Sequence, residues 1–258
     1  MKDLLSSFAA VGHRTVRRGP LVHDGAPEAG APSGPPGGLI RAGELASPWQ
    51  FARLILKTPA LRQAPRGDGE PVIDVPGWRA PEASGAPLRS YLRWLGYDSI
   101  PWGFGTNHGD PEGDAGRLAP RVIELAEQTG RPVTLVGWSL GGVISREVAR
   151  HEPDAVSRVI TYGTPVIGGP THTIGASSFG EEEADRITRL IEEVEHENPI
   201  KVPVTVIYTK RDGIVDWRAC IDRHSLEVEH IEVASTHLGL GIDPDVWRII
   251  ADRLATPR

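Results

Sequence analysis

One serine in this sequence has the neighbours that a nucleophilic hydroxyl needs. Ser139 lies at the centre of residues 137–141, which read Gly-Trp-Ser-Leu-Gly. A serine hydroxyl needs exposure and a neighbouring base to react, and the two glycines permit the tight strand-to-helix turn that exposes it. An apolar run at residues 133–136 precedes the serine, and residues 143–150 have helical spacing. We therefore predict that Ser139 is a catalytic nucleophile at the corner between a strand and a helix.

A base and an acid for this serine follow later in the chain. His237 comes after the last predicted strand and is expected to accept the serine proton and return it to the leaving group. Asp212 follows the strand predicted at 202–209 and is expected to hold the imidazole tautomer and stabilise its positive form. Asp216, four residues further on, is the alternative acid. The carboxyl ends of parallel strands share one edge of a sheet, so these groups are expected to meet there.

Acyl transfer also needs hydrogen-bond donors for the oxyanion. The Leu140 N–H, directly after the nucleophile and at the start of a helix, is one predicted donor. The second predicted donor is the Trp78 N–H, in the loop after the strand at 72–75. Pro76 in that loop has no N–H to offer. The alternative interpretation of residues 76–78 is a plain Pro-Gly turn without a catalytic role.

Strands and helices alternate from residue 71 onward, which predicts a parallel sheet covered by helices on both faces. Strands are predicted at 72–75 and 97–102, from 133 up to the serine turn, and at 158–163, 202–209 and 228–234. Helices are predicted at 88–95, 116–129, after Ser139, at 181–195 and at 244–254.

These motifs together resemble the α/β-hydrolase superfamily, and within it the small bacterial lipases and esterases with one residue after the oxyanion glycine. The resemblance covers roughly residues 71–254 and depends on residues 72–78, 137–142, 208–215 and 235–237. It implies an α/β-hydrolase fold, with a mostly parallel central sheet, helices on both faces and a short cap at about 164–201. The chain departs from such lipases at Pro76, where they usually have histidine, and at residues 164–169, where they often have Pro-His-x-Gly.

The predicted function is a serine hydrolase that cleaves carboxylic esters through an acyl-enzyme on Ser139. An acyltransferase or thioesterase with the same triad is the first alternative, and a non-catalytic binding module of the same fold is the second. Trp102, Phe104 and Trp138 lie at or near predicted strand ends and are expected to line a pocket for an apolar acyl group, unless they belong to the core. No cofactor is expected, and no His-Glu-x-x-His pattern indicates a metal site.

Composition and length limit the remaining possibilities. The net charge of −6 argues against nucleic-acid binding, and the single cysteine, Cys220, rules out an internal disulfide. No signal peptide or membrane span is found in the sequence, so we expect a cytoplasmic protein.

The chain divides into two parts. Residues 71–258 are the predicted catalytic domain, and residues 1–70 an N-terminal extension that is irregular at the Pro/Gly-rich 25–38. The extension is predicted to contain one helix at 48–57, capped by Ser47. This helix is expected to pack on the domain, with association at a membrane surface as the alternative.

Overall fold

The computed structural model describes residues 22–32, 34–46, 48–173 and 181–256. The predictions on the first residues of the chain, on the Ser47 cap and on residues 174–180 of the cap region lie outside these ranges.

Within these ranges, seven parallel strands form one sheet, in the order β1-β7-β6-β5-β4-β2-β3. The strands are β1 Val22–Asp24, β2 Pro71–Val75, β3 Asp98–Pro101, β4 Val133–Trp138, β5 Val156–Tyr162, β6 Val204–Tyr208 and β7 Glu227–Glu232. Strands β2, β4, β5 and β6 are buried almost throughout, as expected for parallel strands with helices on both faces. The six predicted strands are confirmed within a few residues.

The edge strand β1 has no counterpart in the sequence-based prediction. It is three residues long and pairs with β7, with Val22 opposite Glu227. A strand this short shows no alternation of apolar and polar residues, so pattern reasoning does not find it. Part of the N-terminal extension therefore belongs to the same sheet as the predicted catalytic domain.

Helices cover both faces of the sheet. They are α1 Gly38–Gly43, α2 Pro48–Leu56, α3 Thr58–Leu61, α4 Ala86–Leu95, α5 Pro111–Thr129, α6 Leu140–His151, α7 Glu181–Glu197 and α8 Pro244–Leu254. Apolar side chains of α5 and α6 pack on one face, and those of α4 and α8 on the other. The prediction that α5 begins at Gly116 is wrong, because the Asp110 side chain accepts a hydrogen bond from the Gly113 N–H and caps the helix earlier.

Helix α2 packs on the domain through polar contacts. Arg53 forms ion pairs with Asp243 and Asp245, with N–O distances of 2.9 and 2.5 Å. The Gln50 amide donates to the Ala234 carbonyl at 3.3 Å. The extension is therefore attached to the loop between β7 and α8, next to the predicted catalytic histidine.

A buried charge cluster joins α6 to α7 and to the loop before β7. Arg146 donates to Asp222 at 2.5 Å and to Glu195 at 2.9 Å, and Arg150 donates to Glu195 at 2.6 Å. Burial disfavours the charge of Asp222, but Arg146 and the hydrogen bonds from Ser225 hold the pKa of that carboxyl well below its usual range. The cluster anchors the helix that begins at the predicted nucleophile.

We expect Arg146→Ala to lower the free energy of unfolding by about 3–5 kcal/mol, because it leaves Asp222 buried without its cation and leaves Glu195 paired with Arg150 alone. Urea denaturation followed by circular dichroism measures this loss. The matched control is Arg117→Ala, since the Arg117 side chain is 58% exposed and its pair with Asp114 is expected to contribute at most about 1 kcal/mol. Equal losses in the two variants would contradict the assigned role of the cluster.

Candidate active site

Ser139 occupies a strained turn at the carboxyl end of β4. Its backbone has φ 53° and ψ −123°, and among the described residues only Arg79 shares a positive φ without being glycine. Such backbone strain is found mostly at functional sites. The turn is held on both sides, because the Ser139 N–H donates to the Tyr162 carbonyl and the Thr164 hydroxyl donates to the Ser139 carbonyl, both at 2.9 Å.

The flanking glycines are required by close backbone packing. A Cβ at Gly137 would collide with the backbone of Gly142, and a Cβ at Gly141 would collide with the Val75 carbonyl. The turn therefore lies directly against the end of β2. The Gly-x-Ser-x-Gly spacing therefore has a steric cause, because a side chain at either glycine position would collide with neighbouring backbone.

Asp212 and His237 form a buried hydrogen-bonded pair. His237 Nδ1 lies 2.7 Å from Asp212 Oδ2, and both residues are at most 4% exposed. The other carboxylate oxygen, Asp212 Oδ1, accepts from the N–H groups of Ile214 and Val215 at 2.8 and 2.7 Å. These bonds orient the carboxylate. Since Nδ1 is engaged by Asp212, Nε2 is the ring nitrogen left for proton transfer.

The histidine ring lies beside the serine turn. Its centroid is 5.7 Å from that of the Trp138 side chain, and the Gly163 backbone packs against the same ring. The Asp212–His237 pair follows β6 and β7, and the histidine ring therefore lies beside the turn that follows β4 at the carboxyl edge of the sheet. The alternative acid, Asp216, accepts instead from the Arg218 N–H at 3.0 Å and caps a short 3₁₀ turn.

The loop after β2 approaches the serine turn closely. A Cβ at Gly77 would lie 3.2 Å from the Ser139 Cβ, so only glycine allows this approach without displacement. Within the described part of the chain, neither the Trp78 N–H nor the Leu140 N–H has a hydrogen-bond acceptor. Both predicted oxyanion donors are therefore without an acceptor in these residues and free to bind a further group.

Asn107 holds this loop and is a residue that sequence reasoning missed. It is fully buried, and its amide donates to the Pro76 carbonyl at 2.8 Å. Its backbone carbonyl accepts from the Arg79 N–H at 2.8 Å, and its N–H donates to the Ala80 carbonyl at 3.1 Å. No motif surrounds Asn107 in the sequence, because its partners are about thirty residues away.

One of the predicted pocket residues belongs to the core, and a second packs against it. Trp102 is 0% exposed and packs in the hydrophobic cluster that includes α5 residues, so its assignment to a pocket is wrong. The physical reason is that its ring packs against α5 directly after β3, and its Nε1–H donates to the Gly105 carbonyl. Phe104 packs edge-on against Trp102, at 5.4 Å between centroids, and lies under the Arg117 guanidinium. Phe104 is therefore also a packing residue.

Trp138 does line a cavity, with a volume of about 100 Å³. Its walls come from segments next to the site: Pro76 from the oxyanion loop, Leu238 beside His237, and Tyr162 at the end of β5. Asp74 adds a carboxylate to the wall. Burial raises the pKa of this carboxyl to about 6, and this effect exceeds the opposing one of Arg89, whose Nη1 lies 2.6 Å from Asp74 Oδ2. A larger groove of about 620 Å³ lies elsewhere, between α2, α3, α4 and α8.

The described residues contain no group of three or more His, Cys, Asp or Glu side chains arranged to hold a metal ion. In the same ranges, no helix is long and apolar enough to cross a membrane.

Comparison with known proteins identifies the fold. No family model matches the sequence, and no curated protein matches it. Among solved structures, a Paleococcus ferrophilus monoacylglycerol lipase matches with a TM-score of 0.54 and 16% identity, over 72% of this chain and 95% of that one. A structure from the metagenome-derived lipolytic enzymes LipS and LipT matches with a TM-score of 0.54 and 15% identity, over 74% and 94%. Mouse alpha/beta hydrolase domain-containing protein 10 matches with a TM-score of 0.50 and 18% identity, over 73% and 89%. From these matches and the parallel sheet, we conclude that the chain has the α/β-hydrolase fold.

Proposed function

We propose that this protein is a serine hydrolase that cleaves carboxylic esters through an acyl-enzyme on Ser139. The observation that carries the proposal is the buried 2.7 Å bond between Asp212 and His237 beside the strained serine turn. A buried histidine held by a carboxylate next to a partly exposed serine is the arrangement that activates a hydroxyl for attack on a carbonyl.

In the proposed reaction, Ser139 Oγ attacks the ester carbonyl while His237 Nε2 takes its proton. Asp212 stabilises the imidazolium that forms, without itself taking the proton. The Trp78 and Leu140 N–H groups donate to the oxyanion of the tetrahedral intermediate. The imidazolium then gives its proton to the leaving alcohol, and the acyl-enzyme remains. Water activated by His237 hydrolyses this ester and regenerates the serine.

The cavity beside Trp138 supports a preference for short acyl groups. Its volume of about 100 Å³ is small beside the roughly 300–1,000 Å³ of pockets that hold drug-sized ligands. The apolar walls supplied by Pro76, Trp138 and Leu238 suit a methyl or propyl chain. We therefore propose acetyl to butyryl esters as the substrate class.

The test combines a covalent probe with a substrate panel. A fluorophosphonate is expected to label Ser139, identified by mass spectrometry of the labelled peptide. In a p-nitrophenyl ester panel from acetate to dodecanoate, kcat/KM is expected to peak at or below butyrate. A protein that neither reacts with the probe nor turns over any ester would contradict the proposal and favour a binding module. A thioester preferred over the matching ester, or acyl transfer to an added alcohol, would instead favour a thioesterase or an acyltransferase.

A further inference from the structure

One carboxylate of the N-terminal extension contacts both loops that hold the acid–base pair. Glu44 begins a 3₁₀ turn, Glu44–Ala46, directly after α1. Its Oε1 accepts from the Gly213 N–H and from the His237 N–H, both at 2.8 Å. Its Oε2 accepts from the Leu238 N–H at 2.9 Å. Three backbone donors, separated from Glu44 by about 170 to 195 residues of chain, thus meet on one side chain.

These donors lie on two loops that follow neighbouring strands. The acid loop, residues 209–216, follows β6 and contains Asp212. The histidine loop, residues 233–243, follows β7 and contains His237. Apart from the Asp212–His237 bond itself, the Thr209 hydroxyl links the two loops by donating to the Ser235 carbonyl at 2.8 Å. Glu44 comes from outside both loops and bonds to the backbone of each.

The position of Glu44 is itself closely determined. A Cβ at Gly213 would lie 2.8 Å from the Glu44 Cγ and 2.9 Å from the Ile40 carbonyl, so the acid loop and the α1 segment pack without an intervening side chain. Helix α2 comes next among the described elements and is anchored to the domain through the contacts of Gln50 and Arg53 described above. Hydrogen bonds from backbone N–H groups to a carboxylate are stronger than those to a neutral acceptor.

We propose that Glu44 is a positioning residue, which fixes the acid loop against the histidine loop and so keeps His237 aligned with Ser139. The proposal assumes the proposed function, because alignment matters only if His237 transfers the serine proton. Glu44 does not reach the reacting atoms. Displacement of a catalytic group by about 1 Å can lower a rate by about 10²-fold.

The experiment compares three substitutions at Glu44 with one elsewhere in the extension. Glu44→Ala removes all three hydrogen bonds. Glu44→Gln keeps the length and one carbonyl, whose two lone pairs can serve Gly213 and His237. Glu44→Asp keeps the charge on a side chain too short to span the three donors. Glu28→Ala is the matched control, because Glu28 is exposed and no hydrogen bond or ion pair of its side chain occurs within the described residues.

For p-nitrophenyl butyrate, kcat of Glu44→Ala is expected to fall about 10- to 100-fold while KM stays within about twofold. Glu44→Gln should recover most of kcat, Glu44→Asp should resemble the alanine variant, and Glu28→Ala should match the wild type. A kcat for Glu44→Ala within twofold of wild type would overturn the proposal. If the alanine variant does not fold, full activity in Glu44→Asp overturns it equally, since the shorter side chain cannot bridge the two loops.

A spectroscopic readout separates this proposal from the proposed function. The low-field proton resonance of the Asp212–His237 hydrogen bond is expected in the wild type and lost or broadened in Glu44→Ala. If the wild type shows no ester turnover and no probe labelling, the proposed function fails, and this resonance still tests whether Glu44 holds the pair. An unchanged resonance in Glu44→Ala would show that Glu44 contributes only general packing.

Discussion

Ser139→Ala is expected to lower kcat for p-nitrophenyl butyrate by about 10⁶-fold, leaving only the effect of binding and of the oxyanion donors. Alanine keeps the Cβ and the backbone bonds of Ser139 to Tyr162 and Thr164 but has no oxygen to attack the ester. The fold should therefore persist. Initial rates, corrected for contaminating esterase, measure the loss, and circular dichroism checks the fold.

Ser157→Ala is the matched control for this variant. Ser157 lies on β5, at the opposite end of the strand from the site, where its hydroxyl shares a hydrogen bond with Thr134. Its removal is expected to leave kcat within about twofold, because Ser157 is remote from the site. A single hydrogen bond of this kind contributes only about 1 kcal/mol to stability, so the fold should persist. If Ser139→Ala retained wild-type turnover, the assignment of the nucleophile would be wrong.

Asp212→Asn is expected to lower kcat about 10⁴-fold with little change in KM. Asparagine can still accept from the N–H groups of Ile214 and Val215, so the acid loop should keep its shape. It has no charge to stabilise the imidazolium, and its amide can hold His237 in the wrong tautomer. The loss should therefore appear in kcat and in the rate of probe labelling.

Asp216→Asn provides the comparison, since both residues follow β6 and are buried. Asp216 accepts from the Arg218 N–H at the start of a 3₁₀ turn, so its replacement should cost about 1 kcal/mol of stability and little activity. A collapse of kcat in Asp216→Asn, with Asp212→Asn active, would reverse the assignment of the acid.

Much of the fold was predictable because its signals are local. The strands β2, β4, β5 and β6 read as short apolar, β-branched runs between turn residues, which is what burial on both faces requires. The strand β1 was not predictable, since its only support is a backbone partner in β7, more than two hundred residues later. The start of α5 was misplaced because the Asp110 side chain caps the helix at a point before Gly113 and Gly116, and glycines disfavour a helix in the sequence pattern.

The candidate site divides in the same way. Ser139 and its glycines are recognisable because their steric roles depend on residues within the turn or next to it. Trp102 was misassigned because the sequence places it at a strand end without showing which way its ring turns. Asn107 and Glu44 carry no sequence signal, because each acts by accepting or donating bonds to distant backbone.

By itself, the sequence determined the order of strands and helices, the serine turn, and the candidates for base and acid. Only the tertiary structure showed the hydrogen bond between Asp212 and His237, placed Trp102 in the core, and brought Glu44 onto both loops of the pair. The physical reason is range. Steric and hydrophobic patterns act over a few residues and are visible in sequence, whereas the hydrogen bonds that align these loops join parts of the chain that meet only in the folded protein.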